Sequence, residues 1–255
     1  MVGISFMIRV RNEEKTIRES ISSLLSLTIP FEIVVLLHRC TDSSESIVRS
    51  FQDPRIRVYT YSTTISRAGY ENLATDAHSP HSMVHYNNWC FSKTTLPWVF
   101  RWDADFVADP KLLQYLESRS WVDSPGRIRI NAKNSTSMNG EYYLACGQTG
   151  FAKYLFWEVA LYKDSNTMNH SVDLDRSIVI HHRSELSDMK PYWTEQPWYL
   201  SEESEEARVV KTRMEQLVAE FGPEPMGAAR ASNPVCDPFI RTIRQRNPTY
   251  VNIYR

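Results

Sequence analysis

The sequence predicts an α/β domain with a mostly parallel, Rossmann-like central sheet flanked by helices, followed by a helical C-terminal extension. Three observations carry this. Short apolar or β-branched runs recur at residues 4–10 (ISFMIRV), 31–37 and 55–61, each the length of a strand. Amphipathic stretches separate them. A fourth run, 98–102 (WVFRW), leads directly into two aspartates.

The elements follow in order. Residues 4–10 and 31–37 are apolar almost throughout, as strands covered on both faces must be. Between them Ile17, Ile21, Leu24 and Leu25 fall at helical spacing on one face, with Asn12 as the expected N-cap and Pro30 as the stop. Residues 43–51 read as a short helix, 55–61 as an alternating third strand, and 86–93 as a helix before the fourth strand. Beyond it, 110–116 reads as a helix, 127–130 as a strand, the Asn- and Ser-rich 131–140 as a loop, and 178–182 (IVIHH) as a late core strand. From Ser201 an acidic stretch becomes helical, with Val210, Met214, Leu217, Val218 and Phe221 on one face and Gly222-Pro223 ending it. The expected layout is a main domain over 1–200, divided at 108, and a helical, irregular extension over 201–255.

Composition narrows the function classes. The chain is 42% hydrophobic and 23% charged, with 29 Lys and Arg against 30 Asp and Glu. That balance gives no general attraction to nucleic acid, and the basic, aromatic tail from Arg241 to Tyr254 reads as packing. No apolar run is long enough to cross a bilayer, and no leader-like segment precedes the first strand. Cys40, Cys90, Cys146 and Cys236 are widely spaced, which reads as reduced thiols in a soluble, cytoplasmic protein, with peripheral membrane attachment left open.

In parallel sheets ligands bind beyond the carboxyl ends of the strands. Arg11, Asn12 and Glu14 follow the first strand, His38, Arg39 and Asp42 the second, and Asp103 and Asp105 the fourth. Two carboxylates two positions apart at a strand end suit a hard divalent cation that bridges to phosphate. The triplet alone carries little weight, since chance supplies roughly half of one among this many aspartates. A twin stands at Asp173-Leu174-Asp175, in a polar stretch. The apolar strand before Asp103 separates the two.

The ordered set of motifs resembles the family 2 glycosyltransferases of the GT-A fold over roughly residues 4–185. Arg11-Asn12-Glu13-Glu14 stands where the family has a YNEE-like turn, and His38-Arg39-Cys40-Thr41-Asp42 where it has a DNCTD-like turn. Asn87-Asn88 precedes the strand that runs into Asp103-Ala104-Asp105, and His181-His182-Arg183 ends a late strand. The resemblance implies Mn²⁺ or Mg²⁺ held by Asp103, Asp105 and one histidine, with His181 preferred over His182. It implies a UDP- or GDP-sugar donor bound by 1–108, with Arg11, Asn12, Glu14, His38, Arg67, Asn88 and Asp103 as candidate contacts and Arg183 as a further one from the second half. A glycan or other hydroxyl acceptor is expected on 109–200.

Two departures bear on chemistry. His38 occupies the place of an acidic residue that contacts the base. Glu158-Val159 occupies that of a Glu-Asp pair whose Asp is the catalytic base, which makes Glu158 the candidate base, Glu195 the alternative, and inversion the expected outcome. A sugar nucleotidyltransferase is disfavoured because no glycine-rich loop follows the first strand. A relative that binds sugars or a partner without turnover is the non-enzyme alternative, favoured by Val159.

Overall fold

The computed structural model of the chain describes residues 2–67, 69–123, 127–138, 141–152, 171–173, 178–185 and 196–222. The chain divides into two compact units, residues 1–63, 89–156 and 164–189 forming the first, and 64–88, 157–163 and 190–255 the second.

The first unit is built on one mixed sheet. Its strands are β1 (Ile4–Val10), β2 (Phe31–His38), β3 (Ile56–Tyr61), β4 (Trp98–Asp103), β5 (Phe106–Ala108), β6 (Arg127–Met138), β7 (Glu141–Ala152), β8 (Ser171–Asp173) and β9 (Val179–Glu185). Their order is β3-β2-β1-β4-β7-β6-β9-β5, with β8 beside β6. Pairing is parallel through β3, β2, β1 and β4, and antiparallel where β7 meets β4 and β6 and where β9 meets β5. The expected α/β architecture, a mostly parallel sheet flanked by helices, is what the chain forms.

β1 and β2 are central because their sequences leave no polar face. Phe6, Met7, Ile8 and the run from Ile33 to Leu36 are fully buried. α1 (Ile17–Leu24) and α2 (Ser44–Arg49) supply the crossovers, and α1 lays Ile17, Ile21 and Leu24 into the core. α1 ends at Leu24, well before Pro30, and Leu27 and Ile29 then turn back into the core. Asn12 is not its cap. Thr16 holds that position, and Asn12 sits in the left-handed region at φ 57°. Gly3 is dictated by packing, since a Cβ there would lie 2.4 Å from the carbonyl oxygen of Pro30.

Past β4, α5 (Pro110–Ser118) begins with Asp109 as a side-chain cap and Pro110 in the first turn. Trp98 and Trp121 meet edge to face in the core below it. The expected loop at 131–140 is overturned as far as Met138. β6 runs on through it in a ladder from Arg127↔Ala152 to Met138↔Glu141, with β9 on its other side. Neighbours on both edges satisfy the backbone whatever the side chains, so the ladder overrides the Asn and Ser content.

α4 (Met83–Phe91) carries the chain from the second unit back to the first. Within the second unit lie α3 (Tyr70–Ala74), α6 (Trp198–Ser201) and α7 (Glu205–Phe221). α7 starts on the Ser204 cap and stops at Gly222, φ 82°. It packs Ala207, Val210, Met214 and Leu217 around Trp198 and Ala74. Val218, expected on that face, is 42% exposed instead. No helix among the described residues is long and apolar enough to cross a membrane.

Candidate active site at the end of β1, β2 and β4

The sheet order reverses at β1. From it the chain crosses to β2 and β3 on one side, while β4 pairs with the other side. A reversal of that kind, at the carboxyl ends of the strands, is where open α/β sheets take ligands. The residues singled out from sequence in the first unit stand at this edge.

The turns after β1 and β2 are laced together. Asn12 Oδ1 accepts the Thr41 amide at 2.8 Å, and its Nδ2 donates to Thr41 Oγ1 at 3.1 Å. The Glu14 amide donates to Asp42 Oδ2 at 3.0 Å, and the Ser43 amide to Glu14 Oε2 at 2.9 Å. Asn12 and Arg39 both have positive φ, 57° and 47°. Asparagine tolerates that region and arginine rarely enters it, so the lacing holds Arg39 in an unfavourable conformation. Burial pushes the Asp42 carboxyl up, but donors from Ser44 and the Glu14 amide outweigh it and leave it below the ordinary range. Asn12 and Glu14 thus have a structural role in shaping this rim.

His38, the last residue of β2, is 5% exposed. Its Nε2 lies 3.1 Å from the Thr63 carbonyl oxygen, which only accepts, so Nε2 carries the proton. Burial, then the charge of Arg11, lowers its pKa from 6.5 to about 4, against the raising effect of the Thr63 bond. A neutral imidazole therefore stands where the resemblance has an acid. The unfolded chain binds this proton between pH 6.5 and 4 and the folded chain does not. Stability from this site is complete above pH 6.5 and is lost as pH falls toward 4, by about 3 kcal/mol in all. Urea titrations at pH 7 and pH 4.5 on the wild type and His38→Asn should show a pH-dependent gap that the substitution shrinks. An unchanged gap would contradict this account.

Asp103 closes β4, and its side chain is 44% exposed. Arg9, its register partner on β1, places Nη2 3.9 Å from Asp103 Oδ1. Sequence reasoning did not assign Arg9, although a cation near the end of an apolar strand was a visible signal. Asp105 is half-buried in the turn between β4 and β5. Beside that turn, β9 pairs with β5 so that His182 lies across from Phe106 and His181 across from Val107. Arg183 follows on β9, opposite Ser135 of β6. The pairing therefore sets the segment from His181 to Arg183 beside the strand that follows the Asp103–Asp105 turn.

Arg67 and Asn88 belong to the second unit. Arg67 Nε donates to Glu71 Oε2 at 2.6 Å, and Asn88 is half-buried in α4. Glu158 and Glu195 lie outside the described residues.

Fold and site together define an α/β protein with a carboxylate turn at its topological switch point. Residues 5–64 match the profile of Glycosyl transferase family 2. That segment holds β1 to β3 and the two laced turns, and it bears out the family resemblance read from them. No curated protein matches the sequence. Among solved structures, the chain is similar to S. aureus TarS 1-349 in complex with UDP-GlcNAc, at 15% identity and TM-score 0.49, covering 96% of this chain and 73% of that one. It is also similar to the mannosyltransferase PcManGT from Pyrobaculum calidifontis in complex with GDP-Man and Mn²⁺, at 15% identity and TM-score 0.45, covering 96% and 84%. A third is glucosyl-3-phosphoglycerate synthase from Mycobacterium tuberculosis with Mn²⁺, UDP and phosphoglyceric acid, at 16% identity and TM-score 0.43, covering 89% and 81%.

Proposed function

We propose that the chain is a metal-dependent glycosyltransferase that moves a sugar from a nucleotide diphosphate-sugar to an acceptor hydroxyl. The observation that supports this is the pairing of β9 with β5, which sets the His181 segment beside the turn that follows β4 and holds Asp105. The donor set suits Mn²⁺ or Mg²⁺: two carboxylates on one turn, one of them 44% exposed, with an imidazole-bearing strand alongside. The register of β5 with β9 sets His181 across from Val107 and His182 across from Phe106, and of the two we assign His181 as the third ligand. A divalent cation bound there supplies positive charge against the diphosphate leaving group.

The chain's own residues do the rest. Arg11 and Arg183 bring guanidinium charge toward the diphosphate. Neutral His38 meets the base with a polar ring in place of a carboxylate, while Asn12 and Glu14 keep the rim in shape. The acceptor oxygen forms a bond to the anomeric carbon as the bond to the diphosphate oxygen breaks, which inverts the centre. Glu158 takes the hydroxyl proton, with Glu195 as the alternative base.

Thermal shift with UDP-, GDP- and TDP-sugars, with and without Mn²⁺, tests the reading. Stabilisation by one nucleotide series that requires the cation is the expected outcome. If no nucleotide gives a metal-dependent shift, the donor site is not where this reading puts it.

A further inference from the structure

We infer that Ser20 and Ser23 of α1 are positioning residues for the turn that carries Asp103 and Asp105, an inference that rests on the metal-site reading above. The two serines stand three positions apart, close to one helical turn. Each accepts a hydrogen bond from one side of the β4–β5 turn. The Trp102 indole Nε1 donates to Ser20 Oγ at 2.9 Å, and the Ala108 amide donates to Ser23 Oγ at 3.1 Å. Each also donates a hydrogen bond. Ser20 Oγ reaches the Asp103 carbonyl oxygen at 3.5 Å, and Ser23 Oγ donates to the Ser20 carbonyl oxygen at 2.8 Å.

Packing alone does not call for these side chains. Ile17, Ile21 and Leu24 make the apolar contact of α1, and serine is a poor residue for a helix interior because its hydroxyl competes for backbone groups. Ser20 is nevertheless fully buried. What the pair accomplishes is to tie the chain on both sides of Asp105 to a single turn of one helix. Trp102, whose ring also packs against Phe100 and Phe106, makes that attachment stiff. Metal ligands must be held to within about 0.5 Å, and groups that orient ligands are worth about 10- to 100-fold in metal affinity.

The test measures Mn²⁺ affinity by the electron paramagnetic resonance signal of the free ion, with UDP and with GDP, on the full chain. Amide exchange across 103–109 is followed in parallel. Ser20→Ala and Ser23→Ala should each weaken Mn²⁺ binding by about 10-fold and speed exchange in that segment, while Ser23→Thr restores both. Ser5→Ala is the control. Ser5 is equally buried but bonds Glu32 and the Leu96 amide at the opposite end of the sheet, so its loss should lower Tm without changing Mn²⁺ affinity. Half-buried Ser23 keeps the test open should Ser20→Ala not fold. If both alanine variants bind Mn²⁺ like the wild type while 103–109 exchanges faster, the positioning role is wrong and the metal site stands. If the wild type binds no Mn²⁺ with either nucleotide, the metal site fails and the positioning role falls with it.

Discussion

Asp105→Asn is expected to reduce sugar transfer by about a thousand-fold and to erase metal-dependent stabilisation by the donor, with little change in Tm. The size follows from the several kcal/mol that a bound cation contributes against leaving-group charge. Asparagine keeps the shape of the side chain and removes its negative charge, in a half-buried turn whose anchors to α1 are made by its neighbours. Asp103→Asn should cost less, about ten-fold, if the larger share of the coordination falls to Asp105. Its ion pair with Arg9, 3.9 Å long and 44% exposed on the carboxylate side, is worth less than about 1 kcal/mol. Asp173→Asn supplies the contrast. Asp173 ends β8, across from Arg129 on β6, and its removal should leave donor binding as in the wild type. Equal losses at Asp105 and Asp173, or none at Asp105, would refute the assignment.

The parallel half of the sheet was legible because burial on both faces writes itself as unbroken apolar runs. β1 begins and ends where the run does, and β2 and β4 each extend one residue further. The second half hid for the opposite reason. β6 and β7 owe their existence to pairing with each other and with β9, which a reading of local propensity does not see. Three-residue β5 is too short to leave a periodic signal, yet its register with β9 is what sets the histidine segment beside the turn that holds Asp105.

Site residues divide along a similar line. Strand-end position singled out Asp103, Asp105 and His38. Side-chain type misled where a residue's partners are distant in sequence. Asn12, which looked like a helix cap, is in a left-handed conformation and bound to Thr41, 29 positions away. Ser20 and Ser23 carry no local signal, since their partners lie more than 80 positions on. A buried neutral His38 was equally invisible, because its lowered pKa comes from burial and from Arg11.

Glu71→Ala is expected to remove about 3 to 5 kcal/mol from the stability of the second unit, the cost of deleting one partner of a buried, hydrogen-bonded charge pair. Glu71 is 1% exposed and carries three donors: the Trp198 amide at 3.1 Å on Oε1, and Arg67 through Nε at 2.6 Å and its amide at 3.2 Å on Oε2. Arg67, read from sequence as a donor contact, is thus tied into this unit's own interior. Trp198 is the hub that Glu71 fixes. Its ring stacks on His81 with centroids 3.9 Å apart and planes 5° from parallel, and its Nε1 donates to Ser66 Oγ at 3.1 Å. His81 is held in turn by its Nδ1 donating to the Thr64 carbonyl oxygen at 2.8 Å. α7 packs Ala207 and Val210 onto the other members of that cluster. With alanine at 71, a buried amide loses its acceptor and the guanidinium loses its counter-charge, so Trp198 and α7 loosen together. Glu71→Gln keeps an acceptor for the amide and should cost only about 1 to 3 kcal/mol. Urea unfolding followed by tryptophan fluorescence and by helix signal separates these outcomes. An alanine variant within about 1 kcal/mol of the wild type would mean that the apolar packing of α7 carries this unit and the polar cluster only decorates it.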